Sequence, residues 1–368
     1  MPIEPPTATP APRARALDNP RVRRILRVVI AGTLATVYSQ YVNWSYSFPL
    51  VILATTFVTS PAPAPSLGVA VSFLATFFGF IGLGLALLLP LHYHQLVGLA
   101  LVGLIVFAWF YLLAQGKVSG MFTTPLFVSV VMIPAFGATD IDTGVLFAKG
   151  LSKAVLAMFP VVWIAYALLP EGVFRRMPPA PRIEGSSLDR AVLALRPVVV
   201  TLPLYVFMQS SDNATRYLTG MLLIATLLPP AARAVQRTLT IDAMLATLIG
   251  AAASVAIWWL TKLHPSLLWF TLLMALFFFI VGMNVFTNDP GGMSPHDYRW
   301  TYAVTTLAVM ILPVTQSGGF GDAAAQKIYL RILDVAIVTF YVTVGTLILD
   351  AFIDRLGALR RQMLGLEA

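Results

Sequence analysis

The chain has 368 residues, of which 58% are apolar and only 11% are charged. Soluble domains average about 25% charged residues, so this composition excludes an ordinary globular protein. The net charge of +8 does not point to nucleic acid, because basic residues of a membrane protein mark cytoplasmic loops and face anionic lipid. With no cysteine, the chain cannot form disulfides or bind a metal through thiolates.

In chain order, residues 1–25 come first, and their Pro, Ala and Thr content predicts a disordered cytoplasmic tail without a cleavable signal. Two sets of six apolar stretches of bilayer-spanning length follow. The first set lies at roughly 26–42, 47–61, 66–90, 95–115, 120–137 and 145–169. The second lies at roughly 193–210, 216–230, 240–262, 266–286, 301–317 and 326–352. This pattern predicts an all-α polytopic membrane protein with about twelve transmembrane helices.

The two sets have the marks of an internal repeat. Arg27 opens the first span of one set and Arg196 that of the other, and both fifth spans contain Val-Met-Ile, at 131–133 and 309–311. Six spans return the chain to its starting side, so the repeats have the same topology and an axis along the membrane normal relates them. The predicted domains are a repeat at 26–170, a basic Pro-rich cytoplasmic linker at 171–192, a repeat at 193–355 and a cytoplasmic tail at 356–368.

Charge predicts the orientation. With the N-terminus inside, most of the 24 basic residues fall in cytoplasmic loops, whereas only Arg216, Lys262 and Lys327 fall in outer loops. Basic loops stay on the cytoplasmic side, so both termini are predicted to lie inside.

Charged residues within the spans are candidates for function, because each costs about 2.5–3.5 kcal/mol at mid-membrane on the insertion scale. Lys149 and Lys153 share one face of the sixth span, where an anionic substrate between them would relieve their repulsion. The alternative is snorkelling to the outer interface. Arg331 and Asp334 lie one turn apart in the last span, either as a structural ion pair or as a substrate-binding cation and a proton-coupling carboxylate.

Two further acids, Asp140 and Asp142, lie in the loop before the sixth span. They are candidate proton acceptors at the exit, or caps of the following helix.

Breaks in the fifth spans suggest where a substrate binds. Thr123, Thr124 and Pro125, with Pro134, interrupt the first repeat's fifth span, and the segment from Pro313 through Gly319, which includes Gln316, interrupts its counterpart. Broken helices expose backbone groups that only protein or a water-filled cavity can cover, so paired breaks favour a binding site there, although packing kinks would look the same.

At the end of the first span, Gln40 and Tyr41 belong to an aromatic cluster that suits either an aromatic ligand or an interfacial belt. The four His are scattered, which predicts no metal site, and no ATP-binding motif is present. No cofactor is expected.

Three segments carry a family resemblance: Arg27-Val-Val-Ile-Ala-Gly-Thr-Leu-Ala, the second span's ending Thr-Ser-Pro-Ala-Pro-Ala-Pro, and Ala148-Lys-Gly-Leu-Ser-Lys153. The chain resembles the fusaric acid resistance and aromatic acid exporter family of bacterial inner-membrane proteins, most closely its compact branch, known only as an uncharacterised membrane domain. Longer members carry a cytoplasmic region after each six-span block, which this chain lacks. The resemblance implies export of aromatic carboxylic acids driven by the proton gradient, a periplasmic membrane fusion protein as partner, and a homo-oligomer, such as a dimer.

The leading hypothesis is therefore a proton-coupled efflux carrier for small aromatic or amphiphilic organic acids. An integral-membrane enzyme acting on a lipid-linked substrate is the second hypothesis. Scattered His and absent Cys argue against it, because such chemistry needs a cluster of catalytic groups at one depth. A channel is the third hypothesis.

Overall fold

A computed structural model describes residues 19–60, 63–137, 140–170, 186–209, 236–286 and 298–316, and individual residues between 329 and 355. Within these residues the regular structure is helical, and none of them lies in a strand. The predicted second span of the second repeat, 216–230, lies outside the described residues.

Seven helices build the first part of the chain. Their bounds are α1 Pro20–Val42, α2 Phe48–Thr59, α3 Leu67–Ala86, α4 Leu88–Tyr93, α5 Gln95–Ala114, α6 Thr123–Gly137 and α7 Ile141–Leu168. The helix α4 continues α3 after a single turn residue, so that the two form one apolar rod, Leu67–Tyr93. Side chains cap several of these helices, including Asn19 at α1 and Ser66 at α3, which accept backbone N–H bonds.

The second part contains α8 Ser187–Gln209, α9 Gln236–Leu263, α10 Leu267–Val285, α11 Tyr298–Gln316 and a span at Ala336–Ile353, here α12. In the described part, eight helices are long and apolar enough to cross a membrane. The chain is thus a multi-pass membrane protein of the all-α class, as the composition predicts.

Two of the predicted spans are shorter than a bilayer requires. The helix α2 has 12 residues and covers about 18 Å, against about 30 Å of hydrocarbon. The helix α6 is also short. The positions of these predicted spans are confirmed as helices, but the two elements do not reach across the membrane by themselves.

The helices at the predicted first and fourth spans of the two parts pack reciprocally. The helix α1 packs against α10, and α8 packs against α5. In the first pair, the ring of Phe278 lies against Gly32. In the second pair, Leu202 lies against Gly103. The helix at the predicted first span of each part therefore packs on the helix at the predicted fourth span of the other part.

The helices α1 and α8 also bury matching positions. Every buried position of α1 from Ile25 to Thr36 has a buried partner in α8 at one constant sequence offset. The pairs are Ile25 and Ala194, Arg27 and Arg196, Val28 and Pro197, Ala31 and Val200, Gly32 and Thr201, Ala35 and Leu204, and Thr36 and Tyr205. The same faces of the two helices therefore point into the protein.

Close backbone approaches fix the positions of α3 and α9, the helices at the predicted third spans. A Cβ atom on Gly84 of α3 would lie 2.1 Å from the carbonyl oxygen of Ser129 in α6. A Cβ atom on Gly250 of α9 would lie 2.6 Å from the carbonyl oxygen of Ala303 in α11. Only glycine allows such contact. The helix α3 is therefore held against α6 in the same way as α9 is held against α11.

Candidate functional site

A small cavity lies among α2, α3, α6 and α7. Its lining residues are Phe48, Pro49, Ile52, Leu53, Phe77, Thr124, Pro125, Val128, Met132, Phe147 and Leu151. The two short helices α2 and α6 form most of its wall. Neither helix crosses the bilayer alone, so most of the cavity wall consists of helices that are not continuous membrane spans.

The helix α6 is irregular beside this cavity. Its ends, Thr123–Leu126 and Ile133–Gly137, are α-helical, while Phe127–Met132 forms a π-helical turn. Pro134 has no N–H and cannot bond to a carbonyl of the preceding turn, which favours the changed register. Turns of this kind are rare and frequently lie at functional sites. The predicted break in the fifth span of the first set is thus present, whereas α11 is α-helical through Pro313 to its end at Gln316. The remainder of the second predicted break, 317–319, lies outside the described residues.

Within this turn, the hydroxyl of Ser129 is fully buried, and no described residue forms a hydrogen bond with it. A buried hydroxyl without such a bond is unfavourable, so the turn holds Ser129 there through the packing of its neighbours.

An aromatic cluster lies at one end of the cavity, next to the α1–α2 turn and Asp140; we call this the Asp140 end. Tyr46 packs against Phe136 and Phe147 with ring centroids 5.5 and 5.3 Å apart, and the two Phe rings are 4.5 Å apart. Tyr46 has a φ of 60°, which is unfavourable for a bulky residue and must be held by these contacts. Burial raises the pKa of the Tyr46 hydroxyl.

A second aromatic cluster lies at the opposite, Phe122 end. The ring of Phe73 stacks on Phe122 at 5.5 Å and packs edge-on against Phe57 at 5.2 Å and Phe159 at 5.8 Å. These rings come from α2, α3, α7 and the segment before α6. The cavity therefore lies between two aromatic clusters, and α7 contributes a ring to each of them.

The cavity has a volume of about 20 Å³ for the centre of a water-sized sphere. This is room for roughly one or two water molecules and not for an aromatic acid. Thr124 is its one polar lining side chain. A larger ligand would need α2 and α6 to separate.

Two arginines are buried in the same relative position. Arg27 of α1 and Arg196 of α8 each expose 2% of their surface. The guanidinium of Arg27 lies 4.7 Å from the ring centroid of Tyr166 in α7, a cation–π contact. Both arginines were predicted to lie at the cytoplasmic ends of their spans, but the structure buries them within α1 and α8. A basic residue inside an apolar stretch is the sequence signal for such a buried cation.

The predicted substrate residues are divided by the fold. Thr124 lines the cavity, while Thr123 is buried behind it and accepts a hydrogen bond of 3.2 Å from the indole N–H of Trp109. Lys149 and Lys153 are exposed on α7. Phe147 of the same helix faces the cavity, and residues two apart on a helix point to nearly opposite sides. The lysines therefore lie away from the cavity.

The remaining predicted residues are not brought to the cavity. Tyr41 is 81% exposed at the end of α1, and Gln40 is half-buried beside it. Gln316 is the last residue of α11, and Arg331 and Asp334 lie outside the described residues.

Asp140 caps α7. Its carboxylate accepts hydrogen bonds from the backbone N–H groups of Asp142 and Thr143 and from the hydroxyl of Thr143. The Thr143 hydroxyl is the main cause of a lowered Asp140 pKa, and nearby His92 acts in the same direction. Asp142 is exposed in the first turn. The capping alternative describes the geometry of Asp140, and a proton-coupling role of either acid remains a prediction.

Sequence reasoning missed most of the cavity wall. Phe48, Ile52 and Phe77 lie in uniformly apolar segments, so their pattern does not separate cavity-facing from lipid-facing positions. The available signals were the shortness of the second and fifth predicted spans and the prolines within them.

Comparison with known proteins gives one match. No curated protein and no solved structure matches the chain significantly. Residues 24–167, which contain most of α1, all of α2 to α6, most of α7 and the whole cavity lining, match the model of a family described as a protein of unknown function (DUF2955).

Proposed function

We propose that the protein is an inner-membrane carrier that exports small aromatic carboxylic acids or related amphiphilic organic anions, driven by the proton gradient. The observation that carries this proposal is the apolar cavity between two aromatic clusters inside a membrane-spanning bundle. A carrier needs a site that either end can open in turn, and the two clusters are candidate gates.

The lining suggests the substrate class. Three Phe rings and aliphatic side chains suit the apolar body of an aromatic ligand. The carboxylate needs a cation, and the buried Arg27 and Arg196 are candidates in addition to the predicted Arg331. Asp334 remains the proposed proton-coupling residue, with a periplasmic membrane fusion protein and a second copy of the chain as proposed partners.

The architecture we propose is two six-helix repeats related by an axis along the membrane normal. The reciprocal packing of α1 on α10 and α8 on α5 supports it, as do the matched burial of α1 and α8 and the paired glycine contacts. The twelve helices of the two repeats would then include the predicted helix at 216–230.

Cross-linking tests the repeat directly, because the chain has no cysteine of its own. The pairs Ile25→Cys with Gly282→Cys, and Gly103→Cys with Leu202→Cys, join the two reciprocal contacts. Both double variants should form intramolecular disulfides under mild oxidation, seen as a mobility shift that reductant reverses. Cross-linking in the first pair alone would show that the two contacts are not equivalent and would contradict the two-repeat architecture.

Transport tests the function. Proteoliposomes should accumulate an aromatic acid such as benzoate only with a pH gradient, and uptake should saturate. Leu53→Trp should fill the cavity and reduce uptake about tenfold or more, whereas Leu104→Trp, on the exposed face of α5, should not. Gradient-independent, non-saturable flux would favour a channel, and equal effects of both variants would remove the cavity from the route.

A further inference from the structure

The helix α7 carries two lysines on a face that no described helix covers. Leu146, Lys149, Lys153, Leu156 and Ile164 are exposed along one side of α7. Among the described residues, neither lysine has a hydrogen-bond or ion-pair partner. The neighbouring exposed leucines show that this face is otherwise suited to lipid.

The depth of the lysines is set by helix geometry. The 28 residues of α7 extend about 42 Å, so roughly 6 Å at each end lies outside a 30 Å hydrocarbon core. The Cα of Lys149 then lies about 6 Å inside the core, and that of Lys153 about 12 Å inside. Side chains on a helix lean toward its N-terminus, here the Asp140 end.

The reach of each side chain decides what it needs. An extended lysine spans about 6 Å, so the Lys149 ammonium reaches the headgroup boundary by snorkelling. The Lys153 ammonium stays roughly 6 Å within hydrocarbon, where an isolated charge is unfavourable. An anion at the boundary, with local thinning of the bilayer, would stabilise both.

We propose that Lys149 and Lys153 form a binding site for the phosphate of an anionic phospholipid in the leaflet at the Asp140 end. The phosphate lies between the two ammonium groups, and the acyl chains pack on Leu146, Leu156 and Ile164. A second copy of this chain fits less well, because a twofold contact through this face would bring like charges together. The site rests on the exposed face of α7 and is independent of the proposed transport function.

The experiment measures which lipids the purified protein retains. The chain is reconstituted in nanodiscs of mixed phosphatidylglycerol and phosphatidylcholine, then released and examined by native mass spectrometry. We expect retention of phosphatidylglycerol over phosphatidylcholine. Lys149→Gln with Lys153→Gln should weaken that retention about thirtyfold, roughly fivefold for each lysine. Equal retention of both lipids by the wild type would overturn the site.

Matched variants separate charge from folding. Lys149→Arg with Lys153→Arg keeps both charges and should retain the lipid. Lys262→Gln removes one charge from the end of α9, where the ammonium lies 5.5 Å from the Trp258 ring, and should leave retention unchanged. Equal loss in the Lys262 and double Gln variants would reduce the effect to net charge and refute a defined site.

Two further outcomes identify other occupants. Release of the retained phosphatidylglycerol by benzoate would show that the lysines bind a carboxylate substrate, and it would overturn the lipid assignment. A change from dimer to monomer in the double Gln variant, without lipid loss, would make this face a subunit contact and also overturn it.

Discussion

The helices α1 and α8 bury the same positions but differ in how they meet their partner helices. In α1, Gly32 allows the ring of Phe278 in α10 to lie against the helix backbone. The equivalent position in α8 is Thr201, and the glycine of that contact, Gly103, lies instead on the partner helix α5. The two helices share a burial pattern, but the glycine lies on α1 in one contact and on the partner helix α5 in the other. Two helices can thus turn the same positions inward while they pack differently on their neighbours.

The tyrosines that pack against α1 and α8 also differ in their contacts. Arg27 lies over the ring of Tyr166 in α7. In the other half, it is the hydroxyl of Tyr341, in α12, that donates a hydrogen bond of 3.2 Å to the carbonyl of Val200 in α8. Each first helix receives a tyrosine from a later helix of its own half, but through different chemistry. The predictions below test how far the two halves are equivalent.

The largest effect should come from Gly84→Ala. Its Cβ would lie 2.1 Å from the Ser129 carbonyl oxygen, and a backbone group cannot rotate away as a side chain can. We expect a loss of at least about 3 kcal/mol, seen as little folded protein after size-exclusion chromatography in detergent.

Gly79→Ala is the matched control on α3, because no atom lies within 4 Å of its new Cβ. Gly250→Ala should lose as much stability as Gly84→Ala if α9 is held against α11 in the same way as α3 is held against α6. Normal folding of the Gly84 variant would show that α3 and α6 can separate at little cost.

A smaller effect is expected for Gly32→Ala. Its Cβ would lie 2.7 Å from the Phe278 ring, which can move, so the variant should lose about 1–3 kcal/mol of stability. Phe278→Leu should recover part of this loss when combined with it, and thermal unfolding of the single and double variants measures the recovery. Additive losses would show that the α1–α10 contact is not limited by this ring.

The sequence predicted the helices of this fold more successfully than its site. Apolar segments bounded by Pro, Gly and polar residues set the positions of α5 and α10 closely, because hydrophobic length alone marks a span. The helix α1 instead begins at Pro20, inside the segment predicted to be a disordered tail. The short α2 was predicted as a span, since Ser47 and Ser60 at its ends do not interrupt an apolar stretch. Composition cannot show that such a helix ends early.

The site depended on which face of a helix turns inward. Lys149 and Lys153 attracted attention as charges, but the cavity face of α7 carries Phe147 and Leu151. In a helix that is apolar nearly all round, the apolar residues do not cluster on one face, so the sequence does not show which face points inward. Thr124 was identified because a proline follows it, which is a signal of chain geometry and not of hydrophobicity.

The cation–π contact should have an intermediate effect. Arg27→Met keeps most of the side-chain volume, and Tyr166→Leu removes the ring. A double-mutant cycle on unfolding free energy should give a coupling of about 0.5–2 kcal/mol. Arg196→Met with Tyr166→Leu is the control, because Arg196 lies in α8, and should give no coupling. Equal coupling in both cycles would mean that the ring acts through the fold as a whole.

The smallest effect concerns Asp140 and pH. The hydrogen bonds from Thr143 and Asp142 lower the Asp140 pKa in the folded protein. A group with a lowered folded pKa contributes stability above its unfolded pKa of about 3.9, and that stability is lost as the pH falls through the folded pKa. The melting temperature of the wild type should therefore fall on acidification below about pH 4 more than that of Asp140→Asn, which cannot titrate. Thr143→Val removes the main donor, so its melting temperature should depend less on pH than that of the wild type. An unchanged pH dependence in both variants would show that the Asp140 cap frays without affecting the bundle, and α7 would then be held by its packing against α1, α2, α3 and α6.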